Sequence, residues 1–176
     1  MTKALFLDRD GIFNVDKTYT YRWEDIEWVD GIFDLIRFAN ENGYLVIVLT
    51  NQSGVARGKY REEDILVLHK KMSEYLAARG LRVDDWFYCC EFDSVRRKPR
   101  PGMMLEARDK YDIDLSQSFM VGDKPTDILE IEGPAIPKTL LLKGNYSLVG
   151  AKAEIYENLA DILKRIQSLA TIKTDV

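Results

Sequence analysis

Cysteine is almost missing from this sequence: there are two in 176 residues, Cys89 and Cys90, and they are adjacent. Neighbouring thiols in an apolar stretch cannot staple distant segments, so a disulfide framework is excluded and reduced core thiols in the cytosol are expected. Long apolar runs are missing as well. No stretch approaches the ~20 apolar residues that span a bilayer. The N-terminal run after Met1-Thr2-Lys3 stops at Asp8, without the hydrophobic region or small-residue cleavage site of a signal peptide. Positive charge is not in excess, since the net charge is -4. Polyanion binding draws on clustered Lys and Arg, so no nucleic-acid partner is expected, and any phosphate site has to be made by a few local cations. The chain also has no hydrophobe-poor segment. Apolar residues make up 46% and charged residues 31%, which is ordinary globular usage. The expectation is a cytoplasmic monomer without a membrane partner, with one domain over 1–170 and a loose tail over 171–176.

Apolar runs of strand length recur at Ala4–Leu7, Leu45–Leu49, Trp86–Cys90, Phe119–Val121 and Thr139–Leu142. Helical patterns lie between them. Asp30 is placed to cap a helix whose inward face is Ile32, Leu35, Ile36 and Ala39, and Asn42-Gly43 supplies its stop. Further stripes are Ile65, Leu68, Met72 and Tyr75, then Met103, Met104, Ala107 and Tyr111 with Pro101 in the first turn. The last is Leu159, Ile162, Leu163, Ile166 and Leu169, capped by Asn158. Strands alternating with helices imply βαβ units joined by right-handed crossovers. The fold class is therefore α/β: a Rossmann-like three-layer α/β/α sandwich around a mostly parallel sheet. Residues 9–29 carry no clean period and read as a flap over the sheet edge.

Ligands of such sheets bind outside the carboxyl ends of the strands, and the residues there form a coherent set. Asp8-Arg9-Asp10-Gly11 follows the first strand, Thr50-Asn51-Gln52-Ser53-Gly54 the second, and Gly122-Asp123-Lys124-Pro125-Thr126-Asp127 the fourth. Arg97-Lys98-Pro99 lies just beyond the third. Three aspartates in one crevice need a cation, and with oxygen ligands and a phosphate to complete the shell Mg²⁺ is the natural choice. Such an ion also removes the repulsion of about 4 kcal/mol that a carboxylate meets ~4 Å from a phosphate charge at intermediate dielectric.

The four strings, in this order, resemble those of the haloacid dehalogenase superfamily of aspartate-nucleophile phosphatases. Their fuller forms are similar to the branch containing D-glycero-D-manno-heptose 1,7-bisphosphate phosphatase and histidinol-phosphate phosphatase. The resemblance covers nearly the whole domain and implies a minimal cap. It implies that Asp8 is the nucleophile, that Asp10 is the general acid and then base, and that Thr50 and Lys98 hold the transferring phosphoryl group. Asp8, Asp123 and the backbone carbonyl of Asp10 would hold the metal. Asn51, Gln52, Ser53, Arg97 and Lys124, with Asp16 and Tyr19 of the flap, are the expected substrate-facing residues. Asp127 is expected as a supporting partner rather than a ligand.

The segment from Cys89 to Arg96 is short and has no histidine, where many relatives carry a zinc-binding loop. Two adjacent thiols cannot supply four tetrahedral ligands, so zinc is not expected. His69 lies outside every motif and reads as a packing or surface residue. The leading expectation is hydrolysis of a phosphate monoester on a small phosphorylated sugar, with heptose 1,7-bisphosphate as substrate and the heptose 1-phosphate as product. The alternatives are histidinol phosphate as substrate, or a catalytically silent phosphosugar-binding module.

Overall fold

The computed structural model describes residues 1–172. Six strands form one sheet in the order β3-β2-β1-β4-β5-β6, and every neighbouring pair is parallel. They are β1 (Lys3–Leu7), β2 (Tyr44–Asn51), β3 (Asp85–Cys89), β4 (Phe119–Gly122), β5 (Lys138–Leu142) and β6 (Glu154–Tyr156). The helices are α1 (Ile32–Glu41), α2 (Glu62–Ala77), α3 (Gly102–Tyr111) and α4 (Leu159–Ile172).

Alternate residues of the central strands enter two separate cores. Leu5, Leu7, Val46, Val48, Phe119 and Val121 pack with side chains from α1, α2 and α4. Ala4, Phe6, Ile47, Leu49 and Met120 pack with Met103, Met104 and Ala107 of α3 on the other face. Burial on both faces is why these strands read as unbroken apolar runs rather than alternating ones. The chain moves outward from β1 through β2 to β3, then returns across β1 to β4. Crossovers of one hand that travel in opposite directions land on opposite faces, which puts α1 and α2 on one side and α3 on the other. The reversal makes the carboxyl ends of β1 and β4 a topological switch point, where a crevice opens.

Several local expectations are revised. Asp30 does not cap α1; the cap position is Gly31, in the left-handed region at φ 86. A Cβ there would lie 3.2 Å from that of Leu159, so close passage against α4 sets the start of α1. Pro101 occupies the cap of α3 rather than its first turn. The short edge strand β6 carries no signal in the sequence, because Glu154-Ile155-Tyr156 has no apolar run and Ile155 is exposed. Asn158 does cap α4, its Oδ1 accepting the Asp161 N–H at 2.9 Å. α4 continues to Ile172, two residues into the expected tail, and the remainder of that tail, 173–176, lies outside the described residues.

The flap is anchored. Asn14 bridges to Asp10 and to Trp28, Ile12 and Phe13 are fully buried, and Trp28 stacks on Tyr75 of α2 at 5.2 Å. Among the described residues, no helix is long and apolar enough to cross a membrane.

Candidate active site

Asp8 stands at the switch point because the sheet puts it there. Its N–H continues the β1–β4 ladder by donating to the carbonyl of Val121. The side chain is buried between two ammonium groups, with Lys98 Nζ 2.9 Å from Oδ1 and Lys124 Nζ 3.3 Å from Oδ2. Burial acts to raise its pKa, yet Lys98 and then Lys124 outweigh that effect and hold it at about 2. Asp8 is therefore a carboxylate at neutral pH, in the form a nucleophile requires.

Lys98 is itself oriented. Its ammonium donates to Asp8 Oδ1 and, at 2.6 Å, to Asp127 Oδ1. Its peptide unit is pinned to Asn51, whose Oδ1 accepts the Lys98 N–H and whose Nδ2 donates to the Lys98 carbonyl, both at 3.0 Å. Asp127 Oδ2 accepts the backbone N–H groups of Asp123 and Lys124. A carboxylate engaged on both oxygens has little left to offer an ion, so Asp127 supports the site rather than lining it.

Three oxygens from separate positions converge on one cation. Lys124 Nζ lies 3.3 Å from each of Asp8 Oδ2, the Asp10 carbonyl and Asp123 Oδ1, and 3.6 Å from Asp16 Oδ2. Burial and then the Asp8 charge push Asp123 up to about 8. Two carboxylates and a carbonyl form a hard, all-oxygen donor set, the kind that suits Mg²⁺. Among the described residues, Asp8, Asp123 and Asp127 each have an oxygen within 4.8 Å of the others; with Asp127 engaged by Lys98 and two backbone N–H groups, Asp8 and Asp123 are the two left to meet an ion. Gly11 makes this crowding possible: it sits at φ 94, and a Cβ there would lie 2.0 Å from Asp123 Oδ2.

The carboxylate of Asp10 is held from several sides. Oδ1 accepts from Asn14 Nδ2 and Arg9 Nη2, each at 2.9 Å, and Oδ2 accepts from Gln52 Nε2 at 2.9 Å. The same Gln52 amide donates to Thr50 Oγ1 at 2.8 Å, while its Oε1 accepts from the Tyr60 hydroxyl at 2.6 Å. Thr50, at the end of β2, is thereby linked to the second aspartate of the first motif.

A cavity of about 370 Å³ opens over this cluster, lined by Asp8, Asp10, Asp16, Asn51, Ser53, Arg97, Lys98 and Lys124 among others. Thr18, Pro125, Thr126 and Tyr146 complete its wall. Gln52 is buried beneath it and turned toward Asp10. Tyr19 packs edge-on against Tyr60 at 6.4 Å. Arg9, Asn14, Tyr60 and Tyr146 also contribute, and His69, expected as a packing or surface residue, is buried against Trp86 with its Nε2 on Arg9. For Arg9 a signal existed, since a charged residue wedged between two aspartates at a strand end has to find a carboxylate or be expelled. For His69, Tyr60 and Tyr146, which come from α2 and distant loops, no spacing announces proximity.

A family model described as polynucleotide kinase 3 phosphatase matches residues 3–148. D-glycero-alpha-D-manno-heptose-1,7-bisphosphate 7-phosphatase of Campylobacter jejuni is 40% identical over 163 residues, covering 92% of this chain and 94% of the relative. D-glycero-beta-D-manno-heptose-1,7-bisphosphate 7-phosphatase of Helicobacter pylori is 42% identical over 147 residues, covering 81% and 85%. Among solved structures, D,D-heptose 1,7-bisphosphate phosphatase from B. bronchiseptica, complexed with magnesium and phosphate, superposes with a TM-score of 0.79 at 28% identity, covering 97% of this chain and 100% of that one. The chain is a phosphoric monoester hydrolase of the haloacid dehalogenase superfamily and belongs to the D-glycero-D-manno-heptose 1,7-bisphosphate 7-phosphatase family.

Proposed function

We propose that this enzyme removes the 7-phosphate of D-glycero-D-manno-heptose 1,7-bisphosphate, with Asp8 as nucleophile and Mg²⁺ as cofactor. The observation that carries the reading is the ionised, buried Asp8 flanked by Lys98 and Lys124 at the floor of a polar cavity. Asp8 attacks phosphorus as the ester P–O bond breaks, giving an aspartyl-phosphate. Asp10 gives its proton to the departing sugar oxygen and then takes one from the water that cleaves the intermediate. Lys98 and the Thr50 hydroxyl hold the phosphoryl oxygens, with the ammonium offsetting charge that spreads onto them in the transition state. Asp8, Asp123 and the Asp10 carbonyl would hold Mg²⁺, whose charge screens the attacking carboxylate from its anionic target.

A second phosphate on the substrate fits the cavity wall. Arg97 contributes there, and its buried Nη1 has no hydrogen-bond partner among the described residues. A guanidinium in the cavity wall suits a distal phosphate. Asn51, Ser53, Asp16 and Lys124 line the same space and would meet the sugar. Gln52 and Tyr19 would act from behind it, through Asp10 and Tyr60.

The test is phosphate release from the heptose 1,7-bisphosphate, the heptose 1-phosphate and histidinol phosphate, with Mg²⁺ or chelator, on the native enzyme and on Asp8→Asn. The bisphosphate should turn over fastest, lose its phosphate at carbon 7 and require Mg²⁺. Asp8→Asn should lose turnover while still folding cooperatively. Near-normal turnover by Asp8→Asn would refute the nucleophile, and preference for histidinol phosphate would refute the sugar.

A further inference from the structure

Among the described residues, Arg9 is the largest fully buried side chain. A guanidinium without solvent is tolerated only where charge and hydrogen bonds are both matched. Its Nε and Nη2 reach Asp10 Oδ1 at 3.2 and 2.9 Å, Nη2 also donates to the Thr20 carbonyl of the flap at 2.5 Å, and Nη1 faces His69 Nε2 at 3.2 Å. His69 is buried as well. Burial and then the Arg9 charge drive its pKa well down, so the imidazole is neutral and Nε2 can accept from Arg9. The ring lies flat on Trp86 of β3, with centroids 4.4 Å apart and planes 21° apart. A rigid path thus runs from β3 and α2 through the imidazole and the guanidinium to the Asp10 carboxylate.

We infer that Arg9 and His69 are positioning residues for the general acid: Arg9 fixes the rotation of the Asp10 carboxylate, and His69 fixes Arg9. The inference rests on the acid role of Asp10 proposed above. A neutral acceptor suits this task better than a carboxylate would. An Asp or Glu in place of His69 would compete for the guanidinium charge, whereas an apolar residue would leave Nη1 unpaired in the interior. His69 holds the far edge of the guanidinium without weakening its grip on Asp10. Contact with the Thr20 carbonyl ties the base of the flap to the same group.

A positioning role discriminates between leaving groups, whereas packing alone does not. Asp10 acts on the leaving group by giving a proton to the oxygen from which phosphorus departs. A sugar alkoxide needs that proton, whereas p-nitrophenolate leaves without it. Loosening Asp10 should therefore lower kcat/KM selectively for the sugar phosphate. For Arg9→Lys we expect a loss of about 100-fold on the heptose 1,7-bisphosphate, within the range for general acid catalysis, and under ~5-fold on p-nitrophenyl phosphate. His69→Leu should show the same asymmetry at about 10-fold. His69→Gln, whose Oε1 can accept from Arg9 at the position of Nε2, should restore the rate to within about threefold.

The experiment measures kcat/KM for both substrates with Mg²⁺ on these three variants and on Asp10→Asn, with melting temperatures alongside. If Asp10→Asn loses equally on both substrates, the acid role and this inference fall together. If Asp10→Asn is asymmetric and Arg9→Lys is not, only the inference falls. Should Arg9→Lys fail to fold, the His69 pair still decides, because equal losses by Gln and Leu would mean that the ring merely fills space.

Discussion

Replacing Asp123 by Asn should stabilise the metal-free protein while removing its response to Mg²⁺. Asp123 is pushed from the usual 3.8 to about 8, by burial and by the Asp8 charge. In the unfolded chain it ionises near 3.8; in the fold it keeps its proton up to about 8. The folded state therefore binds more protons between those values, so stability is full below the unfolded pKa and is lost as pH rises through the folded one. At about pH 7 the gap from 3.8 is roughly three units, a ceiling of about 4 kcal/mol at ~1.4 kcal/mol per unit. Water entry and adjustment of Lys124 reduce this to about 2 kcal/mol. Asn carries no such penalty. A domain of this size shifts by roughly 2–4 °C per kcal/mol, so Asp123→Asn should melt about 4–8 °C higher than the native protein at about pH 7 in chelator. Near pH 4 the two should converge. With Mg²⁺ at about 100 times its dissociation constant the native protein should gain ~2.7 kcal/mol and the variant nothing. Circular dichroism melts with chelator or Mg²⁺ at both pH values measure this. A variant that is less stable at neutral pH in chelator, or that keeps the Mg²⁺ shift, would overturn the picture of a carboxylate cluster held under repulsion for a cation.

Two further substitutions probe the support beneath Lys98. Asp127→Asn must turn an amide N–H₂ either toward the Lys98 ammonium or toward the two backbone N–H groups that Oδ2 now accepts. Either choice opposes donors in a buried site, so a loss of about 3 kcal/mol is expected, seen as a melting drop of roughly 6–12 °C, together with a kcat fall of about 100-fold; a variant with native stability and rate would remove Asp127 from the site. Gly122→Ala puts a methyl 2.2 Å from Asp127 Oδ2. Overpacking of this kind costs about 2 kcal/mol and should lower kcat by displacing the anchor of Lys98, while wild-type kinetics would mean that Asp127 can move without consequence.

The four strand-end strings were legible because they sit beside the strands that place them. Asp8, Thr50 and Asp123 directly end or follow apolar runs, and in a parallel sheet those ends share one edge. Lys98 was readable for a related reason, since Arg97-Lys98-Pro99 falls on the loop returning the chain from β3 across the sheet. The same logic failed at Asp30, where the close approach of Gly31 to Leu159 overrode a good local cap. It failed again at β6, whose pairing with β5 supplies what its residues do not advertise.

Sequence alone determined the parallel sheet, its order of chemistry along the edge and the all-oxygen character of the proposed cation site, because these follow from hydrophobic period and residue type within short windows. Tertiary structure alone decided that His69 stands under Arg9, that Tyr60 reaches Gln52, that Tyr146 meets Asp16 across the cavity and that Asp127 turns to Lys98 rather than outward. Those contacts join residues far apart in the chain or depend on a side-chain direction set by packing. No local pattern encodes either, and both are fixed only when the two cores close around the sheet.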